Sequence, residues 1–260
     1  MFGSWFDSDI AIDRTKNVRH VTIPEFFDEE TFNAIVADIP RDDAEFEHHY
    51  SNPIEEKLVI SSLDRTPFIQ SVFESMADPA FIQKMERITG ISGLEYDTHT
   101  HGGGVHRFST DGKLDLHLDY SKHPRLEKER RLNLIVFASP SWKRAWGGAL
   151  ELWDANCAAL ETSVEAVPNT AVLFEVDNTS WHGVPRAVTA PPGHTRDSIA
   201  CYFVSNPTSS IDRERTKAFF VPHPDDRPVS AAVQRLYDIR AKRLLTADDV
   251  ATYTRGAPTS

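Results

Sequence analysis

Between Leu94 and Pro207 the chain returns repeatedly to short runs of β-branched and aromatic residues separated by glycine and proline. Arg131 to Phe137, Ala149 to Trp153, Val164 to Val167, Ala171 to Val176 and Ser198 to Val204 each read as a strand. Several strands at this spacing suggest a barrel or a sandwich. The flanks read differently. Asp28 to Ala37 carries a helix start ahead of Pro40. Thr66 is placed to cap a second helix with Pro67 at its first position and Phe68, Ile69, Val72, Phe73 and Met76 at helical spacing. Pro79 opens a third, with Phe81, Ile82, Met85 and Ile88, closed by Gly90. Past Pro207, Ser209 to Phe219 and Val229 to Leu245 are charged and expected to be helical, and Ala257 to Ser260 to be a loose end. The expected organisation is a helical support region over 1–93, a β core over 94–207 and a helical extension over 208–260, within one structural domain.

Inside the β region, His117 and Asp119 stand two positions apart. If Leu116 to Tyr120 is extended, the period of two puts both on one face, where they can offer an imidazole and a carboxylate to a single metal ion. A third donor must come from farther along. His123 precedes Pro124 in a charged segment read as a loop, and His194 ends the turn-like Pro191-Pro192-Gly193-His194. His182 follows the apolar run Ala171 to Val176 and opens a further extended stretch. With 11 histidines, about one His-x-Asp is expected by chance. His223-Pro224-Asp225 is such a decoy: three prolines disfavour a strand there, and no histidine follows it. A 2-His-1-carboxylate set of His117, Asp119 and His182 fills half an octahedron, the arrangement of non-haem Fe(II) oxygenases. Arg196, fourteen residues beyond His182, has the guanidinium fork that suits the far carboxylate of a dicarboxylic co-substrate.

The formal net charge of −11 argues against a nucleic-acid surface. Two cysteines, Cys157 and Cys201, are too few for a disulfide framework and fit a reducing compartment. Met1 to Ile12 lacks the basic flank and apolar core of a signal peptide, and no run approaches membrane-spanning length. A soluble cytoplasmic protein with neither nucleic-acid nor membrane partner is expected.

Five blocks then resemble, in order, the Fe(II)/2-oxoglutarate-dependent dioxygenase superfamily, and more narrowly its prolyl-4-hydroxylase-like branch. They are Gly112 to Tyr120, Arg131 to Leu134, Trp146 to Trp153, His182-Gly183-Val184 and Arg196 to Ile199, spread over roughly Leu94 to Pro207. The resemblance implies a mainly β fold with flanking helices around a double-stranded β-helix (jelly roll, cupin-like) core. It implies Fe(II) on His117, Asp119 and His182, 2-oxoglutarate anchored by Arg196, and dioxygen as second co-substrate, with ascorbate a further candidate and no catalytic residue beyond the metal ligands. The implied reaction hydroxylates an unactivated aliphatic C–H of a small molecule or of an amino-acid or prolyl side chain, releasing succinate and CO2. Asp119 favours hydroxylation over halogenation. Many relatives place a tyrosine near the end of the strand after His-x-Asp, and Ile135-Val136-Phe137-Ala138 lacks that hydroxyl. Asn133, on the same strand face as Ile135 and Phe137, is a candidate to replace the contact, and Ser198 a candidate to assist Arg196. Two other readings stay open: a non-catalytic 2-oxoglutarate- or metal-binding sensor on the same fold, and a cupin-like metal hydrolase using zinc.

Other residues carry narrower expectations. Arg107 is read as a contact for an anionic substrate or as a solvated strand arginine. The three histidines of His99 to His106 invite a second metal site, but the glycines among them give ligands no rigid frame, and the stretch reads as a mobile loop at the pocket mouth. Lys122 to Arg131 reads as a solvated loop or lid, Trp142, Trp146 and Trp153 as core, and Gly147-Gly148 as a tight turn.

Overall fold

The computed structural model describes residues 1–256, so Ala257 to Ser260, expected as a loose end, lie outside the described residues. Strand β1 (His20–Ile23) and helix α1 (Glu29–Asp38) come first, followed by the hairpin of β2 (His48–Ser51) and β3 (Glu55–Ile60), helices α2 (Pro67–Met76) and α3 (Pro79–Thr89), and the short β4 (Glu95–Tyr96). The central region supplies β5 (Gly104–Phe108), β6 (Lys113–Leu118), β7 (Glu129–Phe137), β8 (Leu150–Trp153), β9 (Leu160–Val164), β10 (Ala171–Glu175), β11 (His182–Val184) and β12 (Arg196–Ser205). Strand β13 (Phe219–Phe220) and helices α4 (Ala231–Arg240) and α5 (Ala247–Gly256) complete the chain as described.

The helices start where the sequence signals them. The Asp28 carboxylate accepts a hydrogen bond from the Thr31 amide at 2.7 Å, and Asp78 does the same for Ala80 at 2.8 Å. Gly90 ends α3 with φ +69°, a left-handed conformation that costs glycine little. Thr66 does not cap α2 as expected: its hydroxyl turns back to the Leu63 carbonyl at 3.4 Å, and Pro67, which has no N–H to satisfy, opens the helix.

Every strand pairing is antiparallel, in the order β1-β10-β7-β12-β5-β3-β6-β11-β8-β9. This is the mainly β, double-stranded β-helix architecture. Strand β3 joins its halves, pairing with β5 through Leu58 to Ile60 and with β6 through Glu55 and Glu56. Alternation decides which side chain goes where. Leu132, Leu134 and Val136 of β7 face outward into a core shared with Phe32, Ile69, Phe73 and Met85 of the helices. Ile135 and Phe137 face inward, where Phe137, Val172 and Phe174 meet Leu150 and Leu152 across the barrel. Each such fully buried side chain contributes roughly 1.5–3 kcal/mol relative to exposure.

Several expected elements differ. The first 93 residues, read as helical, hold β1 and β3, which extend the barrel sheet. Ser209 to Phe219 is not a helix: its backbone is satisfied by the barrel, with the Ser121 amide donating to the Arg215 carbonyl at 2.8 Å, and it ends in β13, which pairs with β6. The strand expected over Val164 to Val167 lies earlier, at Leu160–Val164, and Val167 is exposed beyond it. Val229 to Leu245 is helical only from Ala231 to Arg240. Trp153 is buried, whereas Trp142 and Trp146 are half-buried at the rim and meet edge to face. No helix among the described residues is long and apolar enough to cross a membrane.

Where β11 lies against β6, a Cβ on Gly183 would come within 2.8 Å of the Leu114 carbonyl oxygen and 2.9 Å of that of Asp115. Both obstacles are backbone, so the strands would have to separate. Gly183→Ala is therefore expected to lower stability by about 1–3 kcal/mol in urea unfolding, and an unchanged midpoint would show that the two strands part without cost.

Candidate metal centre

The antiparallel register of β11 against β6 sets His182 directly opposite His117. Asp119 lies one residue beyond β6, on the His117 side by the period of two. The two imidazole rings are 4.3 Å apart, and one ligand atom from each of the three residues lies within 4.8 Å of the others. Among the described residues this is the one group of three or more such side chains with metal-binding spacing.

The donor set fits a cation. His117 Nδ1 lies 2.9 Å from the Asp115 carbonyl and His182 Nδ1 2.8 Å from that of Ser180. A carbonyl only accepts, so each Nδ1 carries the proton and each Nε2 turns a lone pair to the centre. His182 Nε2 is 3.3 Å from Asp119 Oδ2 and His117 Nε2 3.8 Å from Oδ1. Lone pairs facing a carboxylate with no proton between them repel until a positive ion occupies the centre. Burial, with His182 alongside, holds His117 well below the ordinary imidazole value and keeps it neutral. Burial opposes the charge on Asp119, but neighbouring positive charge, that of Arg130 foremost, outweighs it and holds the carboxyl well below its ordinary range. Phe220 of β13 stacks on His117 with centroids 4.8 Å apart, and Phe174 meets His182 edge to face.

A cavity of about 720 Å³ opens from the three residues and is also lined by Arg196, Ser198, Asn133 and Ile135. Arg196 Nε donates to the Gly148 carbonyl at 2.7 Å, Nη1 lies 3.4 Å from Ser198 Oγ, and the guanidinium lies against Phe108 and Phe137. Gly148, at φ +74°, lets the backbone come this near: a Cβ there would meet Arg196 Cδ at 3.1 Å. Arg107, Arg130 and Arg240 are also buried, and each has a carboxylate, Asp197 at 2.8 Å, Asp119 at 3.2 Å and Glu55 at 2.7 Å. Arg196 has none within 4 Å among the described residues. Burial pushes it down to about 10, whereas carboxylate partners hold Arg107 and Arg130 above the ordinary arginine value despite burial.

Residues 103–204 match the family model described as the 2OG-Fe(II) oxygenase superfamily. That segment is a 2OG-Fe(II) oxygenase domain. Fe(II) and 2-oxoglutarate are accordingly its cofactor and co-substrate, and its class is that of the 2-oxoglutarate-dependent dioxygenases. The fold is similar to that of a Pseudomonas putida prolyl-4-hydroxylase, with TM-score 0.54 and 18% identity over 74% of this chain and 95% of that one. It is also similar to HygX from Streptomyces hygroscopicus, solved with nickel and 2-oxoglutarate bound, with TM-score 0.51 and 12% identity over 82% and 97%. A third is the Trichoplax adhaerens prolyl hydroxylase in complex with a hypoxia inducible factor oxygen degradation domain peptide fragment, with TM-score 0.50 and 12% identity over 78% and 86%. No curated protein sequence matches the chain.

Within the oxygenase domain some residues stand elsewhere than expected. Asn133 reaches the cavity, but its Nδ2 donates to Asp119 Oδ2 at 2.7 Å and its Oδ1 accepts from Arg130 Nε at 2.8 Å, so it orients the carboxylate. Arg130, expected in a solvated loop, is buried between the rings of Tyr120 and Tyr202. A β-bulge explains the miss: Phe203 pairs with Leu132 but Val204 with Arg130, so one residue of β7 is skipped and Arg130 swings from the outer face to that of Asn133. Arg107 is neither solvated nor in the cavity. It grips both oxygens of Asp197, donates to the Pro40 carbonyl at 2.8 Å and lies over Phe46, fastening the segment before β2 to the barrel. His99 and His101 line the cavity mouth, while His123, read as a loop residue, is buried against Asp97 at 3.2 Å. His223 bonds to Arg186 at 2.8 Å and does not line the cavity.

Arg130→Met leaves the Asp119 carboxylate buried without its strongest counter-charge, and is expected to lower the stability of metal-free protein by about 3–5 kcal/mol. Ni(II) should recover part of that loss, because the ion takes over the role of the missing guanidinium. An equal loss in urea unfolding with and without Ni(II) would separate Arg130 from the support of Asp119.

Proposed function

We propose that the protein is a cytoplasmic hydroxylase in which His117, Asp119 and His182 hold Fe(II) and Arg196 anchors the far carboxylate of 2-oxoglutarate. The observation that carries this reading is the buried guanidinium of Arg196, without a carboxylate of its own, in the same cavity as three converging metal donors. A co-substrate with an acid at each end and a keto group beside one of them supplies what both lack. The bound iron, with dioxygen and 2-oxoglutarate, supplies the chemistry that yields succinate and CO2 and places an oxygen atom into an unactivated aliphatic C–H. The substrate class is a small molecule or an amino-acid or prolyl side chain.

The chain's own part is orientation and exclusion. The Asp115 and Ser180 carbonyls fix the tautomers of the two histidines, and Asn133 with Arg130 aims Asp119. Phe108 and Phe137 wall the guanidinium of Arg196 from water, which strengthens its hold on a carboxylate. Ser198 keeps Nη1 turned along the strand face. On this reading regions 1–93, 94–207 and 208–260 act as one structural domain.

The test is stoichiometric succinate release from 2-oxoglutarate in the presence of Fe(II) and a broad substrate panel. Asp119→Ala is expected to abolish both metal binding and succinate release. Arg196→Leu is expected to raise the 2-oxoglutarate concentration for half-saturation by about two to three powers of ten. Full activity in either variant would remove that residue from the proposed site.

A further inference from the structure

The charges around the cavity do not balance. Its acids already have partners: Glu55 holds Arg240 at 2.7 Å, Glu47 accepts from the Ser61 and Ser62 amides at 3.1 Å, and Asp119 belongs to the metal centre. Its cations are in surplus. Besides Arg196, Lys57, Arg125 and Lys217 line it with no carboxylate within 4 Å among the described residues. A chain of net charge −11 thus encloses a cavity whose uncompensated side chains are positive.

Lys57 is the one of these held inside. Alternation along β3 turns Leu58 and Ile60 to the helix-side core and Glu55, Lys57 and Val59 to the cavity. Its partner across the hairpin is Tyr50, and its ammonium sits 5.3 Å from the centre of that ring. Burial presses the ammonium below its ordinary value, against the pull of Glu55 and Asp119, which are bonded to Arg240 and Arg130. Strands β3, β5 and β12 lie side by side, with Phe108 of β5 paired to Arg196, so the backbone of Lys57 stands two strand spacings away, roughly 10 Å. The two cations therefore rise from different strands of the cavity wall. Between them on β5, His106 lines the same cavity, and its buried Nε2 has no hydrogen-bond partner among the described residues.

We propose that the substrate to be oxidised is an acid, and that Lys57 holds its anionic group, a carboxylate or a phosphate, with His106 Nε2 alongside. Arg125 and Lys217, both exposed at the mouth, draw such a substrate inward. The inference deepens the proposed function and rests on its assignment of Arg196 to 2-oxoglutarate.

The test uses the full chain loaded with Ni(II) and 2-oxoglutarate, so that Arg196 is occupied, and follows binding of inorganic phosphate and of acetate by calorimetry. At least one of the two is expected to bind, and which one does identifies the group. Lys57→Met should weaken that binding by about tenfold or more, while Lys57→Arg stays within about threefold and 2-oxoglutarate affinity stays unchanged in both. Lys57→Gln replaces the methionine variant if that one does not fold. Binding of neither anion to wild type, or equal affinity in the charge-removed variant, overturns the inference. Failure of wild type to bind 2-oxoglutarate counts against the assignment of Arg196 instead, and the two anions measured on the Ni(II)-loaded protein still decide the role of Lys57.

Discussion

One strand pairing organises this molecule: β11 against β6, in the register that puts His182 across from His117. Those residues are far apart in the chain, and neither has a reason to sit in an apolar interior by itself. They are tolerated because each ring meets a backbone carbonyl at Nδ1 and an aromatic side chain on a face or edge. A glycine next to His182 lets the strands approach closely enough for the pairing. What remains unsatisfied is the inward lone pair on each ring, and the same geometry turns that deficit toward a single point.

The same logic orders the charges. A buried guanidinium is costly unless something answers it, and here Arg107, Arg130 and Arg240 are answered by Asp197, Asp119 and Glu55. These pairs hold the architecture: the first fastens the chain ahead of β2, the second steadies the carboxylate at the centre, and the third ties α4 to β3. Arg196 stands out against them. Its neighbours are two aromatic rings, a carbonyl and a hydroxyl, which position a cation without neutralising it.

Much of this was legible in the residues, for identifiable reasons. The helices declared themselves through Asp28, Pro67, Pro79 and Gly90, because caps and proline act locally. His117, Asp119, His182 and Arg196 stood out as a group because strand periodicity is local too, and the structure lines one cavity with all four. Two residues escaped because their positions depend on distant partners. Arg130 shares a parity with Leu132 and Leu134, and only the mispairing with β12 turns it inward. Lys57 lies in a region that reads as helical, and nothing in Glu55 to Ile60 announces that β5 and β6 will take up its two halves. The face of Asn133 follows from periodicity, whereas its bonds to Asp119 and Arg130 depended on the bulge.

The skipped residue in β7 also constrains how this chain can vary. A change of identity at Arg131 alters a side chain and leaves the ladder as it is. Removing that position would set Arg130 beside Leu132 and still opposite Val204, so regular alternation would keep its charge on the face of Asn133 and Asp119. The beginning of β7 can therefore lose its bulge by deletion and keep Arg130 on the carboxylate, whereas pairing every residue in regular alternation would carry that charge into the packing against the helices.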